Sequence, residues 1–370
     1  MLKRKIINDP VYDGFLSVDD PVILQVIEHP WFQRQRRIKQ LGLTYLVYPG
    51  AMHTRFSHML GALNLMGRAL EVLRQKGVEV SNEECRGAKL AILLHDLGHG
   101  PFSHTSERVL VDVPHEEITL LMMQRINEEM HGALDLAIAI FSNTYPKHFL
   151  HQLVSSQLDM DRLDYLGRDS FFTGVSEGIV GTDRIISMLN VHDDELVIDE
   201  KGIYSVEKFI ISRRLMYWQV YMHKTVIAAD QLLLNILRRA RDLNVSPFTF
   251  CLSPFDLDRF AEVDDDDIMV AVKHWQHSDD EILSTLCKNM VNRRLPAIRF
   301  SNEPFPELKP SYFEGTGKLA NRSYDFNDQE IKVLYKDGRC LPISEASDQL
   351  DRHFLEKQVT KYYHFYPKES

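Results

Sequence analysis

From Glu207 to Leu243 the chain runs EKFIISRRLMYWQVYMHKTVIAADQLLLNILRRARDL without one proline or glycine. A stretch with no helix breaker reads as one or two long helices. Other segments repeat the pattern. After Arg55, FSHMLGALNLMGRALEVL places apolar residues at 56, 59, 60, 63, 66 and 70, the spacing of one helical face. GAKLAILLHDL reads as a more apolar, central helix closed by Gly98, Gly100 and Pro101. HEEITLLMMQRI, ALDLAIAIF and SSQLDMDRLDYLGRD continue the helical reading, and DPVILQVIEHPWFQRQRRIKQL is helical with a break at Pro30. The fold class is therefore mostly α.

A small β component accompanies it. KIINDPVYDGFLSV predicts two short strands about a turn, and ELVIDEKGIYSV, at 195–206, predicts a hairpin turning at Glu200-Lys201-Gly202. Past residue 245 loops, shorter helices and strands mix. The chain divides into 1–245, a helical core with an N-terminal hairpin and a basic helix, and 246–370, a mixed α/β region expected to complete the core and the subunit contacts. The acidic run Asp264 to Asp267 precedes an apolar helix and suits its N-terminus.

Composition removes several function classes. With 370 residues, 44% hydrophobic and 26% charged, the chain can bury a large core. It has no apolar run long enough to span a membrane, and its basic start lacks the apolar stretch of a signal peptide. Cys85, Cys251, Cys287 and Cys340 lie far apart without a CxxC pair, which argues for a reducing, cytoplasmic setting. A net charge of −10 argues against broad nucleic-acid binding but leaves room for a small anion in a locally basic pocket.

One constellation carries chemistry. LLHDLGHGPFSH, Leu93 to His104, holds three histidines and an aspartate at the end of an apolar segment. His95 and Asp96 are adjacent, His58 lies early on another helix, and Asp159, Asp161, Asp164 and Asp169 follow on a third. One of these carboxylates completes a His, His-Asp, Asp set suited to a borderline divalent ion such as Fe, Mn, Co, Ni or Zn. Such a set leaves positions open for water and a substrate oxygen. Arg55 stands one helical turn before His58, and Tyr165 one turn after Asp161, on the same faces.

His58, His95-Asp96 and Asp161 together resemble the metal motif of the HD-domain phosphohydrolases. PGAMHTRFSHMLG, HDLGHGPFSH, His115-Glu116, DMDRLDYLGRD and YMHK narrow the resemblance to the deoxynucleoside triphosphate triphosphohydrolases. IINDP and FQRQRRIKQLG point to the subgroup that elsewhere carries a sterile-alpha-motif domain, absent here. The resemblance covers residues 5 to 240 well and implies a helical HD core and one divalent metal ion (Mn, Fe, Mg, Co, Ni or Zn) held by His58, His95, Asp96 and Asp161.

The resemblance also implies roles for other residues. His104 and His115 act beside the α-phosphate, with His115 a candidate acid for the leaving sugar oxygen, and His99 sits near that bridging oxygen. Glu107 stands where the family has an orienting aspartate, and Glu116 is an alternative support. Arg55, Arg162 (where the family has lysine), Arg213, Tyr221, His223 and Lys224 lie near phosphates or base. Gln40 and Asp169 hold the sugar 3′-hydroxyl, while Leu41 and Tyr165 crowd the position of a 2′-hydroxyl, which favours deoxyribose. Asn8, Glu28, Gln33, Arg36 and Arg293 match a guanine-nucleotide activator pocket at subunit contacts in a homo-oligomer, dimer or tetramer. The implied reaction cuts a dNTP into deoxynucleoside and triphosphate. The same metal set also serves an HD-type phosphatase or phosphodiesterase on another phosphate ester, and a weakly catalytic nucleotide-binding regulator is the non-enzymatic alternative.

Overall fold

The run without helix breakers folds as two helices, Ile203–Met216 and Lys224–Asp242, joined through a π-helical turn at Tyr217–Tyr221. The His223 side chain accepts the Thr225 N–H and so starts the second helix. A π-turn re-aims the side chains that follow it and often marks a functional site. The protein is described here by a computed structural model, covering residues 4–12, 14–111, 113–245, 255–322, 324–326 and 330–368. Cys251 and the side chains of His104, Ser106 and Arg108 lie outside the described residues. Of the other cysteines, Cys85, Cys287 and Cys340 are free thiols.

The Arg55–Gln75 helix is the spine of the larger core. The six apolar positions read from its period are all buried, and so are Ala62, Leu65, Ala69 and Leu73 on its flanks. It is covered on two sides, by Asn82–Leu94 and Met160–Thr173. Gly61 permits the second contact, since a Cβ there would lie 2.0 Å from an Asp164 carboxylate oxygen.

Two helix boundaries differ from the sequence reading, and both matter for the site. The Asn82–Leu94 helix begins on a capping box between Ser81 and Glu84 and stops at Leu94, so His95 and Asp96 sit just past its end. Tight turns, Leu97 N–H to the Leu94 carbonyl and His99 N–H to the Asp96 carbonyl, unwind the chain there. The third helix begins at Met160, not Ser155, because Asp159 is extended and caps it by accepting the Arg162 N–H at 2.7 Å.

Lys5–Asn8 and Phe15–Val18 form the expected antiparallel hairpin. Pro21–Glu28 and Pro30–Arg34 follow, parted at His29 because a residue before proline avoids the helical conformation. The hairpin expected at Glu200-Lys201-Gly202 is not formed. Glu195–Asp199 instead pairs back onto Leu189–His192 through Asp193 and Asp194, whose φ values of 51° and 61° suit a two-residue turn. Gly202 has an ordinary φ of −91°, and its small size serves close packing, since a Cβ would meet Ile198 at 2.5 Å.

The C-terminal part is joined to the core at several points. Lys332–Leu334 adds in parallel to Glu195–Asp199 within a four-stranded sheet. Ala297–Ser301, Gln358–Tyr366 and Gly315–Arg322 form a separate three-stranded sheet. A second hydrophobic cluster joins the Lys224–Asp242 helix to Asp265–Trp275 and Glu281–Val291. The acidic run caps Asp265–Trp275 through a reciprocal Asp264–Asp267 box. Buried Asp265 also accepts the backbone N–H groups of Phe102 (2.8 Å) and Lys39 (3.0 Å), clamping the loop after the His-Asp pair. Among the described residues, no helix is long and apolar enough to cross a membrane.

Candidate metal centre and its relay

His58 comes from the first turns of the Arg55–Gln75 helix, His95 from the end of Asn82–Leu94, and Asp161 from the first turn of Met160–Thr173. Their ligand atoms converge. His58 Nε2 lies 3.3 Å from His95 Nε2 and 3.1 Å from Asp161 Oδ1, and His95 Nε2 lies 3.3 Å from the same oxygen. Ligands held at about 2.1 Å from one divalent ion sit about 3.0–3.4 Å apart, so this triangle fits an ion at its centre. Asp96 approaches from one side, 3.5 Å from His95 Nε2 and 3.7 Å from His58 Nε2, and it also accepts from the Arg55 guanidinium.

The outer nitrogens explain why the inner ones converge. His58 Nδ1 donates to Asp164 Oδ2 at 2.7 Å, and His95 Nδ1 donates to the Ile92 carbonyl at 2.7 Å. Each bond fixes a tautomer that carries its proton on Nδ1 and turns the Nε2 lone pair inward, the arrangement that metal-binding imidazoles use. Asp164 is itself held by Tyr12 Oη at 2.7 Å and by Arg168 at 2.8 and 3.0 Å, and Arg168 continues to Asp9 at 2.6 and 3.2 Å. Asp164 and Arg168 are fully buried. Apart from Asp164, the sequence reading missed this support. The i,i+4 spacing of Asp164 and Arg168 was the available signal.

The charges follow from this packing. Burial alone would push the His58 pKa down, but the Asp161 and Asp164 carboxylates outweigh it and hold it up at about 10. His95 is raised in the same way, against burial, by Asp96 and Asp161. Burial would raise Asp96, yet Arg55 and the histidines keep it well below the usual carboxylate range.

Beside the triangle, His99 Nδ1 lies 3.1 Å from Glu107 Oε1, and His115 Nδ1 lies 3.4 Å from the same oxygen. The two imidazoles stack at 4.0 Å, and His99 Nε2 lies 3.3 Å from Asp96 Oδ1. His99, Glu107 and His115 are thus also close enough to share a cation. Glutamate in place of aspartate at 107 does reach both histidines. Glu116 lies 3.3 Å from His115 Nε2 but is mostly exposed. Burial lowers the His99 pKa, with Arg55 acting in the same direction. His115 is raised because Glu107 and Glu116 overcome its burial. Opposite shifts in adjacent imidazoles are the usual mark of divided acid and base duties. The His104 side chain lies outside the described residues.

The remaining candidates differ in how firmly their side chains are held. Arg55 is buried and donates to Ser103 Oγ at 2.7 and 3.1 Å. Arg162 Nε is engaged by the Ser156 carbonyl at 2.6 Å and by Asp159 at 3.2 Å. Tyr165 packs edge-on to Tyr221, whose hydroxyl donates to Asp169 at 2.7 Å. Arg213 reaches Gln157, yet its Nε is buried with no partner, and Gln40 Oε1 is likewise buried and unpartnered. Leu41 is half-buried, His223 caps its helix, and Lys224 is exposed. Of the activator candidates, Gln33 accepts from Arg36 at 2.8 Å and Arg36 lies over the Phe56 ring. Asn8 is exposed, Glu28 pairs loosely with Lys5, and Arg293 donates to the Leu46 carbonyl.

Known proteins resemble this chain over most of its length. Residues 55–169 match the HD domain and residues 180–300 the HD associated region. An uncharacterised protein of Bacillus subtilis is 33% identical over 99% of this chain and 93% of its own length. The chain belongs to the HD-domain phosphohydrolases. The crystal structure of a phosphohydrolase from Bacteroides thetaiotaomicron is 46% identical to this HD protein and superimposes with a TM-score of 0.94, covering 99% of this chain and all of that one. The human deoxynucleoside triphosphate triphosphohydrolase SAMHD1 is 29% identical over 64% of this chain, which spans 45% of that longer protein. The HD motif itself is His95-Asp96, and its histidine is one corner of the triangle described above.

Proposed function

We propose that this HD phosphohydrolase hydrolyses deoxynucleoside triphosphates to deoxynucleoside and triphosphate, using one divalent ion held by His58, His95, Asp96 and Asp161. The observation that carries the reading is the pair of Nδ1-locked imidazoles whose Nε2 atoms converge with Asp161 beside an acid–base relay. The donor set of two imidazoles and carboxylates fits a divalent ion, Mn, Fe, Mg, Co, Ni or Zn, with the borderline ions suiting its imidazoles better than Mg. When bound, such an ion acidifies water and screens phosphoryl charge.

The chain's own residues supply the rest. Arg55, Arg162 and Arg213 bring positive charge to the phosphates. His115, whose pKa Glu107 and Glu116 raise, donates its proton to the leaving 5′ oxygen as a water oxygen bonds to the α-phosphorus and the bond from the 5′ oxygen to phosphorus breaks. His99 sits in the same relay, and the family resemblance assigns His104 to it. Gln40 and Asp169 receive the 3′-hydroxyl, and Leu41 and Tyr165 close the space that a 2′-hydroxyl would need. Tyr221, His223 and Lys224 line the phosphate and base side. Support for a dNTP comes from the named triphosphohydrolase relative and from the orphaned Gln40 and Arg213 atoms, which await a ligand's polar groups. Asn8, Glu28, Gln33, Arg36 and Arg293 are assigned to a guanine-nucleotide activator bound where subunits of a cytoplasmic homo-oligomer meet.

Product analysis tests the reading. With Mn²⁺ and the four dNTPs, deoxynucleoside and inorganic triphosphate should appear, and added GTP should shorten any lag. GTP itself should be turned over at least about 100-fold more slowly than dGTP, since a closed pocket has neither space nor a partner for the extra hydroxyl. Equal turnover of the two, or release of orthophosphate in place of triphosphate, sinks it.

The relay makes a second prediction. An acid must be protonated to act, so kcat should fall as pH rises through the His115 pKa. That alkaline limb should lie above the ordinary imidazole range, because Glu107 and Glu116 raise the group. Glu107→Gln removes one of these charges and should move the limb to lower pH. A limb that stays in place in Glu107→Gln would assign the proton to another group.

A further inference from the structure

His53 lies outside the residues assigned so far, yet it touches both groups given to the sugar. Its ring Nε2 is 2.7 Å from Asp169 Oδ1, and its carbonyl accepts the Gln40 N–H at 3.0 Å. The second bond belongs to a short antiparallel bridge, Lys39 opposite Thr54, that also ties the Arg55 N–H to the Ile38 carbonyl at 3.0 Å. One two-residue ladder therefore sets Gln40, His53 and Arg55 relative to one another. The His53 ring is fully buried, stacked on Phe172 at 4.6 Å and 15°, and its Nδ1 has no partner.

That orphaned nitrogen needs a reason. A buried imidazole with one nitrogen unsatisfied costs stability, and an apolar residue would stack on Phe172 equally well. What the apolar residue would lack is the Nε2–H. A carboxylate only accepts, so the proton of the 2.7 Å bond sits on His53 Nε2. With Tyr221 Oη on the other oxygen, His53 fixes the Asp169 carboxylate in rotation. Each carboxylate oxygen keeps a further lone-pair direction, and Gln40 Oε1 stands buried and unpartnered.

Resting on the triphosphohydrolase reading, we infer that His53 is a positioning residue that holds Asp169 and Gln40 at the spacing required by the 3′-hydroxyl of the substrate sugar. It touches no reacting atom. It acts by orienting the Asp169 carboxylate, which accepts the single hydroxyl proton, beside Gln40, so that a sugar lacking that hydroxyl leaves the carboxylate unsatisfied.

The test compares a dNTP with its 2′,3′-dideoxy analogue in wild type, His53→Phe and His53→Gln. Phenylalanine keeps the stack and removes the donor, whereas the glutamine amide reaches as far as Nε2. The wild-type preference in kcat/KM for the 3′-hydroxyl should fall about tenfold in His53→Phe, the size of one misaligned buried hydrogen bond. The loss should fall mainly on the dNTP, with metal content unchanged, and His53→Gln should restore most of it. A purely structural role would lower both substrates alike and leave the ratio in place, which overturns the inference. If His53→Phe does not fold, His53→Asn, polar but too short to reach Asp169, poses the same question. Wild-type protein run alongside separates the failures. No dNTP turnover by wild type overturns the triphosphohydrolase reading and the inference together, while turnover with an unmoved ratio overturns the inference alone.

Discussion

Asp161→Ala is expected to leave a folded protein that has lost its metal and at least about 10³-fold of its hydrolytic rate, the scale on which metal-activated water operates. Among the described residues, Asp161 Oδ1 is the only carboxylate oxygen within 3.3 Å of both inward-facing imidazole nitrogens. Asp96, the other carboxylate, sits farther from both and is drawn to Arg55. Without Asp161 two imidazoles and a diverted carboxylate remain, too few for a divalent ion with open positions. The side chain is partly exposed, so far-ultraviolet circular dichroism should match wild type. Elemental analysis of the dialysed variant gives the first reading and product release the second. A variant that keeps full metal content would move the ion elsewhere. A related effect needs no mutation. The His58 pKa, held up at about 10 by Asp161 and Asp164, means that an ion must displace a proton from the apoprotein. Metal affinity should therefore rise with pH across neutrality, because less proton competes.

The residues alone pointed to His58 and His95, but they left Asp161 as one of four candidate aspartates until the family resemblance singled it out. The helical period gave Arg55–Gln75 and the two-helix run at 203–242. Two kinds of feature escaped. Helix ends were misplaced where a side chain caps the backbone, as Asp159 does, or where tight turns unwind the chain, as after Leu94. Propensity does not carry that information. The hairpin at 195–206 failed because Gly202 looked like a turn residue, while its role is to let Ile198 and Met188 approach. The support under the metal site was hidden for a different reason. Asp9 and Tyr12 come from the N-terminal hairpin, and nothing in the chain marks a residue at position 12 as partner to one at 164. His53 was concealed in the same way, inside a motif read for its other residues.

Arg168→Met should be the most destabilising single change near the site. Arg168 is fully buried and donates to two carboxylates, Asp164 and Asp9, which are 0% and 11% exposed. Methionine has nearly the length but no charge, and it strands both acids in a dry place. Breaking a buried ion pair from one side costs about 3–5 kcal/mol, to be read as a shift of the urea midpoint at unchanged slope. The pH dependence identifies the cause. Burial would raise the Asp164 pKa, but Arg168 and His58 keep it depressed, so its stabilising contribution is present above the unfolded carboxylate pKa and is lost as pH falls through the lower folded value. In the variant the main opposing charge is gone and the folded pKa rises. The stranded acid is then least tolerable near neutrality, and the deficit relative to wild type should shrink on acidification as it takes up a proton. A deficit independent of pH would mean lost packing, not lost charge. The damage also reaches the metal, because Asp164 orients His58. Removing such outer support typically costs about 10–100-fold in metal affinity, and that loss should persist at temperatures where the variant is still fully folded.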